Sequence, residues 1–140
     1  MQRKGSAVWK GGLKDGTGQV STGSGGLSAA PYTFASRFET GGKTDPEELI
    51  AAAHAACFSM ALSGQLGQAN LKADSIATTA AVTLEKTDAG FTVTAVHLSV
   101  KAKVPGADRA AFDKAASNAK AGCPISRLLN ARITMDAVLE

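Results

Sequence analysis

Residues 45–65 read DPEELIAAAHAACFSMALSGQ, and the folding of this stretch decides what the other segments must do. Asp45 is a preferred N-cap residue and Pro46 suits the first helical position. Glu48 stands three residues after the cap, as a capping box requires. Leu49, Ile50, six alanines, Cys57, Phe58, Met60 and Leu62 follow. Wound on a helix, they leave no polar face, so the spacing predicts a central helix buried on all sides, its alanines letting neighbours pack closely. His54 and Gly64 interrupt the apolar run, which falls short of the roughly 18 residues that a bilayer span needs.

Upstream, residues 7–10 and 18–21 are short strand candidates, with Lys14-Asp15-Gly16 as turn residues between them. Residues 21–26 form a Gly/Ser loop without dinucleotide-binding spacing or a strand-to-helix junction, so no cofactor is expected there. Residues 32–38 are a third strand candidate, with Phe34, Ser36 and Phe38 on one face. Gly41-Gly42 then frees the chain to enter the helix, which ends near residues 67–70. Residues 75–86 and 91–104, rich in Thr, Val and Ile, predict a long antiparallel hairpin. Alternation slips between Val93 and Val96, which predicts a bulge. Asp108 caps a second helix with Phe112, Ala115, Ala116 and Ala119 on one stripe, and Gly122 ends it. Cys123-Pro124 restarts a short helix through Leu129, and residues 132–139 read as a last strand. The order of elements is that of an α+β fold, and residues 1–140 form a single domain.

The 140 residues suffice for a core of their own, and 15 basic against 12 acidic residues give a net charge of +3. The basic residues are scattered and no aromatics interleave with them, so a nucleic-acid partner is not expected. Met1-Gln2-Arg3-Lys4-Gly5 leads into no apolar stretch, so neither a secretory leader nor a membrane partner is expected. Two cysteines in that context point to the cytoplasm, where a cysteine pair is more often catalytic or metal-binding than structural.

Cys123, just before Pro124 and Ile125, stands at an N-cap position where free backbone N–H groups favour a thiolate. Cys57 is mid-helix and receives no such help. Buried among alanines, it is an inert core thiol unless a cation reaches it. His54, three residues earlier on the same face, is one source, although its position better suits a hydrogen-bonded core histidine. Arg37, between Phe34 and Phe38, is another, and an arginine among apolar neighbours needs a partner. Glu47 suits the helix dipole and is free to bridge Arg37 through both oxygens. Ten residues of helix separate Glu47 from Cys57, a rise of about 15 Å. Either the helix is bent or split, or Glu47 reaches Cys57 across a subunit interface.

Residues 44–58 (TDPEELIAAAHAACF), together with Pro31-Tyr32-Thr33-Phe34, Arg37-Phe38 and Ala121-Gly122-Cys123-Pro124, closely resemble the OsmC/Ohr family of osmotically inducible and organic hydroperoxide resistance proteins. The Glu-Glu-Leu and Ala-His-Ala-Ala-Cys-Phe wording is that of the OsmC branch. The resemblance implies an intertwined homodimer, with long buried central helices between curved antiparallel sheets, and a thiol-dependent peroxidase that needs no cofactor or metal. It makes Cys57 the peroxidatic cysteine, Cys123 the resolving one, Arg37 the cation that activates Cys57, and Glu47 the acid that holds Arg37. The implied partners are an organic hydroperoxide, with hydrogen peroxide a slower substrate, and a dithiol reductant of the dihydrolipoyl type. It gives His54 no catalytic role.

The implied chemistry agrees with the residues. A free cysteine is only a few per cent thiolate at pH 7, and each unit by which its pKa is lowered needs about 1.4 kcal/mol. A desolvated guanidinium can supply that. Phe34, Phe38, Phe58 and Met60 are candidate apolar walls for an organic substrate. Three other readings stay open. The first is a thiol acyltransferase or hydrolase using Cys57 and His54, although one buried helix leaves little room for an ester. The second is a metal site of His54, Cys57, His97 and Cys123, which lacks metal-ligand spacing. The third is a stress-induced binding protein whose cysteines only fill the core.

Overall fold

In the computed structural model, which describes residues 1–39 and 42–140, the chain forms two compact units, Met1–Leu49 and Ile50–Glu140. Gly41, half of the expected Gly41-Gly42 hinge, lies outside the described residues.

The first unit holds strands β1 (Gly5–Lys10), β2 (Thr17–Thr22) and β3 (Ala30–Thr33) in an antiparallel sheet of order β1-β2-β3. Gly18 pairs with Trp9 on one side and Tyr32 on the other, and the two rings meet over it with centroids 5.4 Å apart. A Cβ at Gly18 would stand 2.4 Å from the Tyr32 ring, so only glycine admits this pairing. The expected strand over residues 32–38 stops at Thr33. Helix α1 (Phe34–Phe38) follows instead, because Thr33 and Ser36 form a reciprocal capping box. The Thr33 hydroxyl accepts from Ser36 N (3.2 Å) and the Ser36 hydroxyl accepts from Thr33 N (2.9 Å). Alternating apolar residues mimic a strand here, but the local side-chain bonds decide for a helical turn.

Helix α2 (Pro46–Gln68) starts where the sequence predicts, with Asp45 Oδ1 accepting from Glu48 N at 2.8 Å, one half of the expected capping box. The Glu48 carboxylate accepts from the Thr44 hydroxyl (2.7 Å). The helix runs on past Leu62 for 23 residues in all, which by length and composition is enough to cross a membrane. Two expectations are corrected by it. The apolar run is not too short, because Leu66 carries the stripe onward. Nor is the helix buried on all sides in the single chain: His54, Phe58, Leu62 and Leu66 are buried, while Ala52, Ala53, Ala56 and Met60 are exposed.

In the second unit the predicted hairpin is β4 (Ser75–Thr87) and β5 (Gly90–Lys103). Its register shifts between Thr83 and Leu84, which pair with Ala95 and Val93 and leave Thr94 as the extra residue. The bulge thus falls between the two valines where alternation slips. Helix α3 (Arg109–Gly122) is capped by Asp108 and buries Phe112, Ala115, Ala116 and Ala119. The short helix α4 (Pro124–Leu128) and β6 (Arg132–Leu139) follow. β6 pairs with β5 in parallel, against the expected all-antiparallel sheets, and the sheet order is β4-β5-β6. The reason is connectivity. Two helices separate β5 from β6, and such a crossover returns the chain to the end where β5 began. Phe58, Leu62 and Leu66 from α2 join Val96, Leu98 and Val100 from β5 and Phe112 from α3 in one core.

Candidate active site

The capping box at α1 fixes Arg37 on a short helix whose C-cap, Glu39, is again extended. Arg37 Nε and Nη2 donate to Glu47 Oε2 (3.1 Å) and Oε1 (2.8 Å), the two-pronged bridge that the sequence allows. Glu47 is the more buried partner, with 13% of its side chain exposed against 37% for Arg37. The bridge holds the guanidinium pKa above its ordinary value, outweighing desolvation. Phe38 supports the same group, with its ring centroid 5.1 Å from Arg37 Cζ, and the Phe34 ring packs tilted against Phe38 with centroids 4.8 Å apart. Trp9, Leu13, Tyr32, Phe34, Arg37 and Phe38 border a cleft of about 260 Å³ in this unit. It is an apolar pocket with one cation in its wall.

The second unit holds the thiols. Both are free, Cys123 fully buried and Cys57 half-buried. Cys123 closes α3 and opens α4, and its side chain makes no capping bond. Its thiol lies beside that of Cys57 instead, and the Ile125 N–H from the first turn of α4 is near the Cys57 sulfur. The free N–H groups expected to serve Cys123 therefore serve its partner. Burial pushes the Cys57 pKa up, the Cys123 thiol adds to this, and the Ile125 N–H opposes it. Within this unit Cys57 is a protonated thiol at neutral pH. The activation expected of it requires a cation from elsewhere.

His54, fully buried one turn before Cys57, is bonded through Nε2 to the Ser126 hydroxyl at 2.8 Å. Burial lowers its pKa, and Nδ1 has no partner among the described residues. This is the core histidine that the sequence favours. An acyltransferase dyad with Cys57 lacks the hydrogen bond it needs. His97 is bonded to Thr134 (2.7 Å) and lies 3.3 Å from Asp136, and no cluster of three or more His, Cys, Asp or Glu among the described residues could hold a metal ion. Of the four expected walls, Phe34 and Phe38 line the cleft, Phe58 is locked in the core, and Met60 is exposed on α2. The sequence reading gives Trp9, Leu13 and Ser126 no functional role. Trp9 is the sole tryptophan, which was the one signal available for it.

Comparison with known proteins shows the family and the fold. The family model described as OsmC-like protein matches residues 39–138. Peroxiredoxin OsmC of Escherichia coli (strain K12) and of Shigella flexneri are each 53% identical over 140 residues, spanning 100% of this chain and 98% of theirs. Among solved structures, the organic hydroperoxide resistance protein OhrB of Bacillus subtilis superposes with a TM-score of 0.70 at 23% identity, over 96% of this chain and 98% of that one. An organic hydroperoxide resistance protein of Elizabethkingia anophelis gives 0.76 at 22%, over 100% and 99%. With a family match over most of its length and a relative 53% identical throughout, the chain belongs to the OsmC family, in its OsmC branch.

Proposed function

We propose that this protein is a cysteine-based peroxidase that reduces organic hydroperoxides, and hydrogen peroxide more slowly, to alcohol or water. The observation that carries the proposal is that the Cys57 and Cys123 thiols lie beside each other, with the Ile125 N–H near the same sulfur. The names of the relatives, Peroxiredoxin OsmC and organic hydroperoxide resistance protein, support the same reading. The Cys57 thiolate attacks one peroxide oxygen. An S–O bond forms, the O–O bond breaks, and the alkoxide leaves as the alcohol after taking a proton. Cys57, oxidised by two electrons, is then a sulfenic acid. The Cys123 sulfur displaces its hydroxyl as water, giving a Cys57–Cys123 disulfide. A dithiol of the dihydrolipoyl type reduces that bond by exchange and is itself oxidised to a disulfide.

Arg37 is the activating cation and Glu47 its brace. A guanidinium beside the sulfur stabilises the thiolate and donates to the peroxide oxygen that becomes the alkoxide. Glu47 and Cys57 ride ten residues apart on one helix, a rise of about 15 Å, which supports delivery of the Arg37–Glu47 pair by a second copy of the chain. The exposed apolar face of α2 (Ala52, Ala53, Ala56, Met60) supports the same homodimer, since burying it in a partner removes that surface from water. The aromatic cleft beside Arg37 suits an organic substituent and gives little to hydrogen peroxide. The protein acts as one OsmC-like domain, in the cytoplasm, as an antioxidant.

Steady-state loss of cumene hydroperoxide and of hydrogen peroxide, with dihydrolipoamide as donor, tests the proposal. The expected result is faster loss of the organic peroxide, none with Cys57→Ser, and with Cys123→Ser at most one oxidation per chain before the sulfenate accumulates or over-oxidises. Full activity of Cys57→Ser would refute it.

A further inference from the structure

We infer that His54 and Ser126 are positioning residues for the resolving step, a buried clamp that holds the first turn of α4 on α2 while the neighbouring thiols change partners. The inference rests on the roles proposed for Cys57 and Cys123. Cys57 lies three residues after His54, and Cys123 three before Ser126, so α4 runs antiparallel along α2. The two elements are joined by two adjacent polar rungs, thiol to thiol and imidazole to hydroxyl.

α4 has five residues and its N-cap makes no side-chain capping bond. A helix this short has little stability of its own and depends on what it docks against. Each catalytic cycle remakes the Cys57–Cys123 rung, as thiol pair, sulfenic acid facing thiol, and disulfide. The His54–Ser126 rung takes no part in that chemistry and is able to keep the register throughout. Ser126 is 8% exposed and His54 fully buried, so water does not compete for the bond. Burial keeps the imidazole neutral, which makes this a hydrogen bond between uncharged groups. The unpartnered Nδ1 carries a desolvation cost that an aliphatic filler of equal size would avoid, so space-filling alone does not explain a histidine here.

Loss of the clamp leaves the first chemical step available, since Cys57 keeps its own place on α2. The step that suffers is attack by Cys123 on the sulfenic sulfur. An unresolved sulfenate then meets a second hydroperoxide, which adds an oxygen to the sulfur, loses its O–O bond and leaves as a second alcohol. Cys57 is stranded as a sulfinate.

The test is intact and peptide mass analysis of Ser126→Ala, Ser126→Thr, His54→Gln and wild type after exposure to stepped cumene hydroperoxide, with rapid-quench rates for both steps. Ser126→Ala is expected to slow disulfide formation about tenfold, as loss of one buried neutral hydrogen bond would, and to slow the first oxidation by less. Its sulfinate should appear at correspondingly lower peroxide. Ser126→Thr and His54→Gln, which retain a bonding pair, should keep the wild-type division between disulfide and sulfinate. Equal slowing of both steps, or an unchanged division in Ser126→Ala, would overturn the clamp while Cys57→Ser remains inactive. Hydroperoxide turnover by Cys57→Ser would instead overturn the thiol-pair reading beneath it.

Discussion

Glu47 engages two nitrogens of Arg37 and leaves the rest of the guanidinium facing an aromatic cleft, so its charge is braced without being cancelled at the open side. Arg37→Ala is therefore expected to raise the Cys57 pKa, followed by thiolate absorbance during a pH titration. It should also lower kcat/KM for cumene hydroperoxide by about 10²- to 10³-fold, the usual cost of losing one aimed donor. A second residue-scale prediction concerns His54, whose pKa is depressed below 6.5 by burial. Below 6.5 the unfolded chain takes up a proton that the folded one refuses. This contribution to stability is full above that pH and is lost as pH falls through the folded value. The midpoint of urea unfolding should drop between pH 7 and pH 5 in wild type and vary less in His54→Gln. The bridge between Arg37 and Glu47 was legible in the sequence because each is a charged type in an apolar setting. Ser126 carries no such mark, and its partner lies 72 residues away.

At the scale of elements, local signals were read well where one interaction dominates. The N-caps Asp45 and Asp108, the slipped alternation that marks Thr94 and the bounds of β6 all belong to this class. Residues 34–38 belong to the other class, where a two-residue period and a Thr-x-x-Ser cap compete in a few residues and the cap wins. The parallel β5–β6 pair could not be read from either strand, since direction follows from the crossover between them. Two outcomes are expected here. Leu66→Ala, fully buried at the far end of the α2 stripe, should cost about 2 to 5 kcal/mol in chemical denaturation. Gly18→Ala should part Trp9 from Tyr32, and because Trp9 is the only tryptophan, its fluorescence reports the change directly.

For the whole molecule, the sequence of α2 asks for apolar surroundings on every side, and a single chain meets that demand on one face. The six alanines and Met60 make sense if the remaining face is covered by another copy, which also brings a cation to a thiol that its own unit leaves protonated. Met60, 78% exposed in the single chain, offers a clean test. Met60→Glu should shift the protein from dimer to monomer in sedimentation equilibrium and abolish peroxide turnover together with it. If the side chain faces water, the substitution will change neither.

The central claim, that Cys57 and Cys123 form a two-electron redox pair, is tested most directly by adding one equivalent of cumene hydroperoxide per chain without reductant and mapping the cysteines by mass. The account predicts one alcohol released per chain and a single Cys57–Cys123 disulfide, with neither thiol open to alkylation. Two freely alkylated thiols beside unconsumed hydroperoxide would contradict it.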